Sequence, residues 1–446
     1  MSPPPRRGPR PLPLHLGLLA LRRGAALASL PLATTRPPCV PGSTPWSSGW
    51  PRSRPGQAGL ARIAGQLAES GHPPEAFAAA VWRALGRADA ALLAGITAYR
   101  RHPWRRDLPD PPAIWAEGGS RLLDYGSGPG PVVLFVPSLI NRAQVLDLLP
   151  EASILRHMAG QGVRPLLLDW GEPGPLERGF SLTDYIAGRL ERALGAAAAQ
   201  GPVVLAGYCM AGLLTLAAAQ RRPDRVRALA LLATPWDFWA EGEAQPRAIG
   251  GLLPGLEPLL GATGALPVDA IQALFAGLDP FSIAAKYRGF AELDPASPRA
   301  RRFVALEDWL NDGVALAAPV ARECLGGWYG ANAPARGEWR VAGEVVDPGR
   351  LRLPGFLAIP ARDRIVPPAT ALALAGRWPG AVVHHAAAGH IGMVAGRGAE
   401  AALWQPLLRW IHDLPGQGTP VQGALVGQGG AGPHCAAAIE GGRPQS

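Results

Sequence analysis

The hydrophobic positions of this chain follow two rhythms. Short, nearly continuous apolar runs recur at 131–136, 163–169, 203–206 and 226–232. Between them, at 152–161, 181–198 and 213–220, apolar residues stand three and four apart. A continuous apolar run bounded by turn residues predicts a strand buried on both faces, and the three-four spacing predicts a helix. Strand and helix thus alternate with short connections over 131–236, the pattern of a parallel sheet covered on both sides. Ser181 with Asp184 three residues on gives the second helix a capping-box-like start. The rhythm returns with a strand at 355–359, a helix at 369–377, a last strand at 381–385 and a closing helix at 400–411.

Residues 237–350 break it. They are rich in Gly, Pro and Trp, with helical stretches at 268–276 and 302–318. An insertion after the strand that ends near residue 233 predicts a helical cap. Its large side chains, Trp309, Trp328 and Tyr329, read first as cap core and second as pocket lining. The predicted core is 121–236 plus 351–413. Residues 57–120 form a small helical region of two or three helices, with a Pro/Arg/Asp-rich linker at 101–112. Residues 1–56 carry eight arginines and no acid among many prolines, which predicts a disordered basic arm. The Gly/Gln/Pro/Ala tail, 414–446, is also expected to be disordered.

Composition narrows the function. Of the 446 residues, 48% are hydrophobic and 17% charged, with net charge +9. The basic residues are arginines except Lys286, and they form no dense stripe with interleaved aromatics, so nucleic acid is not an expected partner. The four cysteines, Cys39, Cys209, Cys324 and Cys435, make no CxxC pair, which argues against a zinc site or a disulfide framework. The apolar stretch at 11–32 is broken by Arg22 and Arg23, unlike a secretory signal. No run reaches the ~18 apolar residues of a spanning helix.

The candidate chemistry centres on 202–222, PVVLAGYCMAGLLTLAAAQRR. A buried strand turns through Gly207-Tyr208-Cys209-Met210-Ala211-Gly212 into a helix. Strand, tight turn and helix make the nucleophile elbow of α/β-hydrolase enzymes, here with cysteine in the place of serine. Two more residues follow strands of the same sheet: Asp363, after the strand at 355–359, and His390, after the strand at 381–385. Open α/β sheets place their sites at the carboxyl ends of the strands, and nucleophile, acid, histidine is the α/β-hydrolase order. Each residue alone has a plainer reading: a core cysteine, a surface turn aspartate, a loop histidine. Together they predict a Cys209–His390–Asp363 triad in an α/β-hydrolase fold with a mostly parallel sheet. The Met210 amide is the natural oxyanion donor, with Ser138 or Leu139 as the second. His384 and His385 lie within the last strand and read as structural. A cysteine nucleophile suits a thioester, because the attack is a thiol exchange.

The chain resembles the polyhydroxyalkanoate synthases, the PhaC-type relatives of α/β hydrolases. The matching stretches are PSLINRAQVLDLLPEASILRHMAGQGVRPLLLDWGEP (137–173), SLTDYI (181–186), GYCMAG (207–212), ARDRIVPP (361–368) and GHIGMV (389–394). The resemblance implies that Cys209 carries the growing acyl chain, that Asp363 helps activate the incoming 3-hydroxyl, and that His390 completes the site. It implies polymerisation of (R)-3-hydroxyacyl-CoA with release of CoA, no metal and no cofactor beyond the thioester substrate. It further implies a cytoplasmic location at polymer granules, with a homodimer or a partner subunit left open. Ala211 stands where the family box has a second glycine, and Ser138-Leu139 where many members have Pro-Trp. Two alternatives stand beside acyl transfer. One is a thioesterase or intracellular polyester depolymerase with the same three residues; the other is a non-catalytic granule-associated paralogue.

Overall fold

The apolar runs become neighbouring strands of one eight-stranded sheet in a computed structural model that describes residues 6–30, 51, 53–126 and 128–415. The strands are β1 (Ala113–Glu117), β2 (Ser120–Asp124), β3 (Val132–Val136), β4 (Arg164–Asp169), β5 (Val203–Tyr208), β6 (Val226–Leu232), β7 (Gly355–Pro360) and β8 (Ala381–Ala386). Their order is β1-β2-β4-β3-β5-β6-β7-β8. From β4 to β8 every pairing is parallel; β1 and β2 join antiparallel at one edge. All six residues of β5 are buried, and each Val or Leu so placed contributes about 1.5–3 kcal/mol of transfer free energy.

The order places the site. The chain runs from β3 outward to β4 and then returns to the other side of β3 with β5. The carboxyl ends of β3 and β5 therefore form a switch point, where open sheets leave a crevice. Register aligns the ends: Val136 pairs with Gly207, Tyr208 with Leu232, and Pro360 with Ala386. The loops after these residues carry Ser138, Cys209, Asp363 and His390.

Before the sheet lie α1 (Leu12–Ala28), α2 (Arg54–Ser70) and α3 (Pro74–Arg101). The separate helices expected across 74–99 are one 28-residue helix; Ala, Leu and Arg carry it through Gly86 despite a local cost of about 1 kcal/mol. Residues 113–120, expected to be helical, instead form the β1–β2 hairpin edge. Their turn is Gly118-Gly119, with Gly118 at φ 56°. Residues 12–28 of the arm expected to be disordered form α1. The reason is its Leu- and Ala-rich sequence, which packs Leu12 and Leu19 against a cluster containing Tyr99, Tyr287 and Phe290. Residues 31–50 of that arm, and 416–446 of the tail, lie outside the described residues.

After β5 comes α4 (Ala211–Arg221), which packs on β5 and β6. The cap lies between β6 and β7 in the chain. Its helices include α5 (Val268–Ala276), α6 (Ser282–Ala291) and α7 (Pro298–Asn311). The first matches its sequence expectation. The last starts and stops early: Ser297 caps it by accepting from the Ala300 amide at 3.1 Å. Residues 316–317 then pair as a strand with 265–266. At Gly95, α3 approaches α6 so closely that a Cβ would stand 2.0 Å from the Tyr287 carbonyl oxygen. The Ser181 start holds as read, with the Ser181 amide donating to the Asp184 carboxylate at 2.8 Å and the Asp184 amide to the Ser181 hydroxyl at 3.2 Å. Among the described residues, no helix is long and apolar enough to cross a membrane.

Candidate active site

Cys209 follows the last residue of β5 with φ 60°, a left-handed conformation that non-glycine residues rarely hold. Such a position costs of order 1–3 kcal/mol and persists only where its surroundings over-determine it. Here the Cys209 amide donates to the Leu232 carbonyl at 2.8 Å, and its carbonyl accepts from the Gly212 amide at 3.0 Å. The two glycines of the turn are fixed by space. A Cβ at Gly207 would stand 2.2 Å from Thr215 Oγ1, and one at Gly212 would stand 1.8 Å from Thr234 Oγ1. Ala211, the departure from the family box, is the fully buried first residue of α4.

Asp363 and His390 meet beside this elbow. His390 Nδ1 donates to Asp363 Oδ2 at 2.6 Å. The other carboxylate oxygen, Oδ1, accepts from the amides of Ile365 at 2.8 Å and Val366 at 2.9 Å. The Asp363 side chain has no solvent exposure. Cys209 and His390 stand together in the lining of one cavity. Burial alone would push the His390 pKa down; the electrostatic influence of Cys209 and the bond to Asp363 outweigh it and push it up to about 10. The raised value keeps the His390 imidazole protonated at neutral pH.

Tyr208 and Trp170 are neighbours that sequence reasoning passed over. The Tyr208 hydroxyl donates to the His390 carbonyl at 3.2 Å, and its ring lies 5.2 Å from the imidazole. Burial drives its phenol well above the ordinary value, so it stays a neutral donor. Trp170 Nε1 donates to the Pro137 carbonyl at 2.8 Å, holding the loop that follows β3. The signal for the first was its place beside the cysteine; the second stands in the DWG stretch after β4.

Of the oxyanion candidates, Met210 is the N-cap of α4 directly after the nucleophile position. Ser138 is buried and its hydroxyl accepts from the Ile140 amide at 3.3 Å. The Leu139 side chain lies in the hydrophobic core, so only its backbone could serve. His384 accepts or donates at 2.7 Å with the Ala402 carbonyl and stacks on Phe356, away from the site; His385 is exposed.

Two cavities share Cys209 as a wall. The larger, of about 820 Å³, is lined by Met210, Asp363 and the cap residues Leu274, Cys324, Trp328 and Tyr329. The smaller, of about 340 Å³, is lined by Ser138, Tyr208, His390 and Trp309, together with Arg10 and His15 from the N-terminal segment. The cap aromatics are thus both core and lining. Burial pushes the Cys324 thiol far above its ordinary value, which keeps it protonated.

A sheet with this order and this elbow defines an α/β hydrolase, and the family profile described as alpha/beta hydrolase fold matches residues 131–251. Within that fold the chain is similar to several proteins named as poly(3-hydroxyalkanoate) polymerase subunits. A protein named poly(3-hydroxyalkanoate) polymerase subunit PhaC, from Haloferax mediterranei, is 28% identical over 69% of this chain and 64% of its own length. Proteins of the same name from Synechocystis and Allochromatium vinosum are 28% and 26% identical, each over 63% of this chain and over 77% and 80% of their own. Among solved structures, a monoacylglycerol lipase from Paleococcus ferrophilus aligns over 65% of this chain and 97% of its own. Its identity is 14% and its TM-score 0.44.

Proposed function

We propose that the chain is an acyltransferase that joins (R)-3-hydroxyacyl units, delivered as coenzyme A thioesters, into a polyester through an acyl group held on Cys209. The observation that carries this reading is a cysteine on a strained elbow, beside a buried and hydrogen-bonded His390–Asp363 pair, opening onto a cavity of about 820 Å³. Relatives named as poly(3-hydroxyalkanoate) polymerase subunits support the choice of substrate.

The Cys209 thiolate attacks the thioester carbonyl carbon. The negative oxygen is stabilised by the Met210 amide and an amide of the 138–139 loop. The carbon–sulfur bond to the carrier breaks, and the departing thiolate takes the proton from His390. The 3-hydroxyl of a second unit then attacks the acyl-cysteine; its proton passes to His390 and the bond to Cys209 breaks. The lengthened product is still a thioester and re-acylates Cys209. With Oδ1 taken by two amides and Oδ2 by the imidazole, Asp363 orients His390 and stabilises its charge. That geometry favours His390, rather than Asp363, as the base toward the hydroxyl. On this reading the product is insoluble and the enzyme works in the cytoplasm at the surface of its own granule.

Incubation of the purified protein with 3-hydroxybutyryl-CoA tests it. Release of CoA with insoluble polymer is expected. Release with free acid would show that water is the acceptor, as in a thioesterase, and absence of release would overturn the enzymatic reading.

A further inference from the structure

The smaller cavity is closed by a part of the chain remote from both sheet and cap. Arg10 and His15 line it together with Cys209 and His390. The segment that carries them is tied down along its length. The Arg6 guanidinium, 5% exposed, pairs with Asp308 at 2.6 Å and donates to the carbonyls of His102 and Trp104. Arg100 donates to the carbonyls of Gly8 at 3.0 Å and Arg7 at 3.1 Å. The Arg10 amide donates to Asn311 Oδ1 at 2.8 Å, and its side chain pairs with Asp269 at 2.8 Å. His15 is buried, 3.2 Å from the Arg10 carbonyl through Nε2. Backbone contact is close as well: a Cβ on Gly8 would stand 2.3 Å from the Asn311 side chain. Residues 6–15 thus strap α3 to α5 and α7 and wall the cavity in doing so.

The two cavities have different chemistry to serve. His390 lines the smaller and Met210 the larger. The group that leaves the acyl carbon, and the group that replaces it, must both exchange a proton with the imidazole. They therefore pass through the smaller cavity, while the acyl chain extends into the larger one under the apolar cap residues Leu274 and Trp328. We propose that residues 6–15 set the size of the thiol or alcohol that exchanges at Cys209, with Arg10 and His15 as the specificity-determining wall and Arg6 as its anchor. The proposal rests on reading Cys209 as the acylated residue, but its test does not need turnover.

The test is alkylation of the full chain by a small reagent, iodoacetamide, and a bulky one, fluorescein maleimide, with peptide mapping to separate Cys209 from the other three cysteines. Arg10→Ala and His15→Ala are expected to raise the rate of the bulky reagent at Cys209 by about tenfold, and that of iodoacetamide by no more than about twofold. Arg6→Ala is expected to do the same or more. If it also lowers the melting temperature sharply, the two wall variants decide. An unchanged ratio of bulky to small rates in both, at unchanged melting temperature, would overturn the proposal. A shifted ratio in a protein that releases no CoA leaves the wall standing and removes the acyl-transfer reading alone.

Discussion

The carboxyl edge of the sheet and the cap above it hold the cavity walls in opposite ways. At the sheet edge the Asp363–His390 pair and the elbow are held by directed bonds. Asp363 accepts three hydrogen bonds with no exposure, and the elbow backbone is fixed by bonds on both sides of the cysteine. In the cap the walls are broad side chains such as Phe275 and Trp328, positioned by packing rather than by directed bonds. Directed bonds fix atoms to fractions of an ångström, as proton transfer requires. Packed apolar walls fix only a volume. Chemistry is therefore assigned to the edge, and selectivity to the cap and the N-terminal strap.

Substitutions along that divide should differ in kind as well as in size. Cys209→Ala is expected to lower CoA release by about four orders of magnitude or more without changing the fold, read by a thiol assay and circular dichroism. Asp363→Asn should keep the shape of the site but lower kcat about 10³–10⁴-fold, because the imidazole loses its charged partner. A loss confined to KM would move Asp363 out of the edge chemistry. The raised His390 pKa has a stability consequence. Folding raises it from 6.5 to about 10, so the imidazolium binds its proton more tightly in the folded chain. The contribution is complete below about pH 6.5 and is lost as pH rises through about 10. The melting-temperature difference between the wild type and His390→Gln should shrink over that window; a constant difference would show that no such imidazolium forms. Gly212→Ala should destabilise the elbow by about 1–3 kcal/mol, since its methyl meets Thr234, with Thr234→Gly restoring part of the loss. Phe275→Ala, in the wall both cavities share, should shift the preference between short and medium acyl-CoAs by about tenfold and leave kcat for the better substrate nearly intact.

The same divide explains what the amino-acid pattern disclosed. Buried parallel strands are apolar along most of their length, so β6 was legible to the residue and β3, β4, β5 and β7 within one or two. The elbow was legible because only glycine fits at 207 and 212. Asp363 and His390 were found by their places after strands, and the structure brings both to Cys209. The β1–β2 hairpin escaped notice because it is short and β1 is largely exposed, so the run Ala113–Ala116 does not stand out as a buried strand. The strap escaped for another reason. Arginine beside proline reads as a solvated arm, and nothing local reveals that Arg6 has an acidic partner 302 residues away.

That span has a bearing on synthesis. A ribosome releases residues 6–15 long before it makes Asp269, Asp308 and Asn311, so this stretch has no seat until those residues exist. The cavity wall beside Cys209 can then close only after the cap helices that seat it have been made.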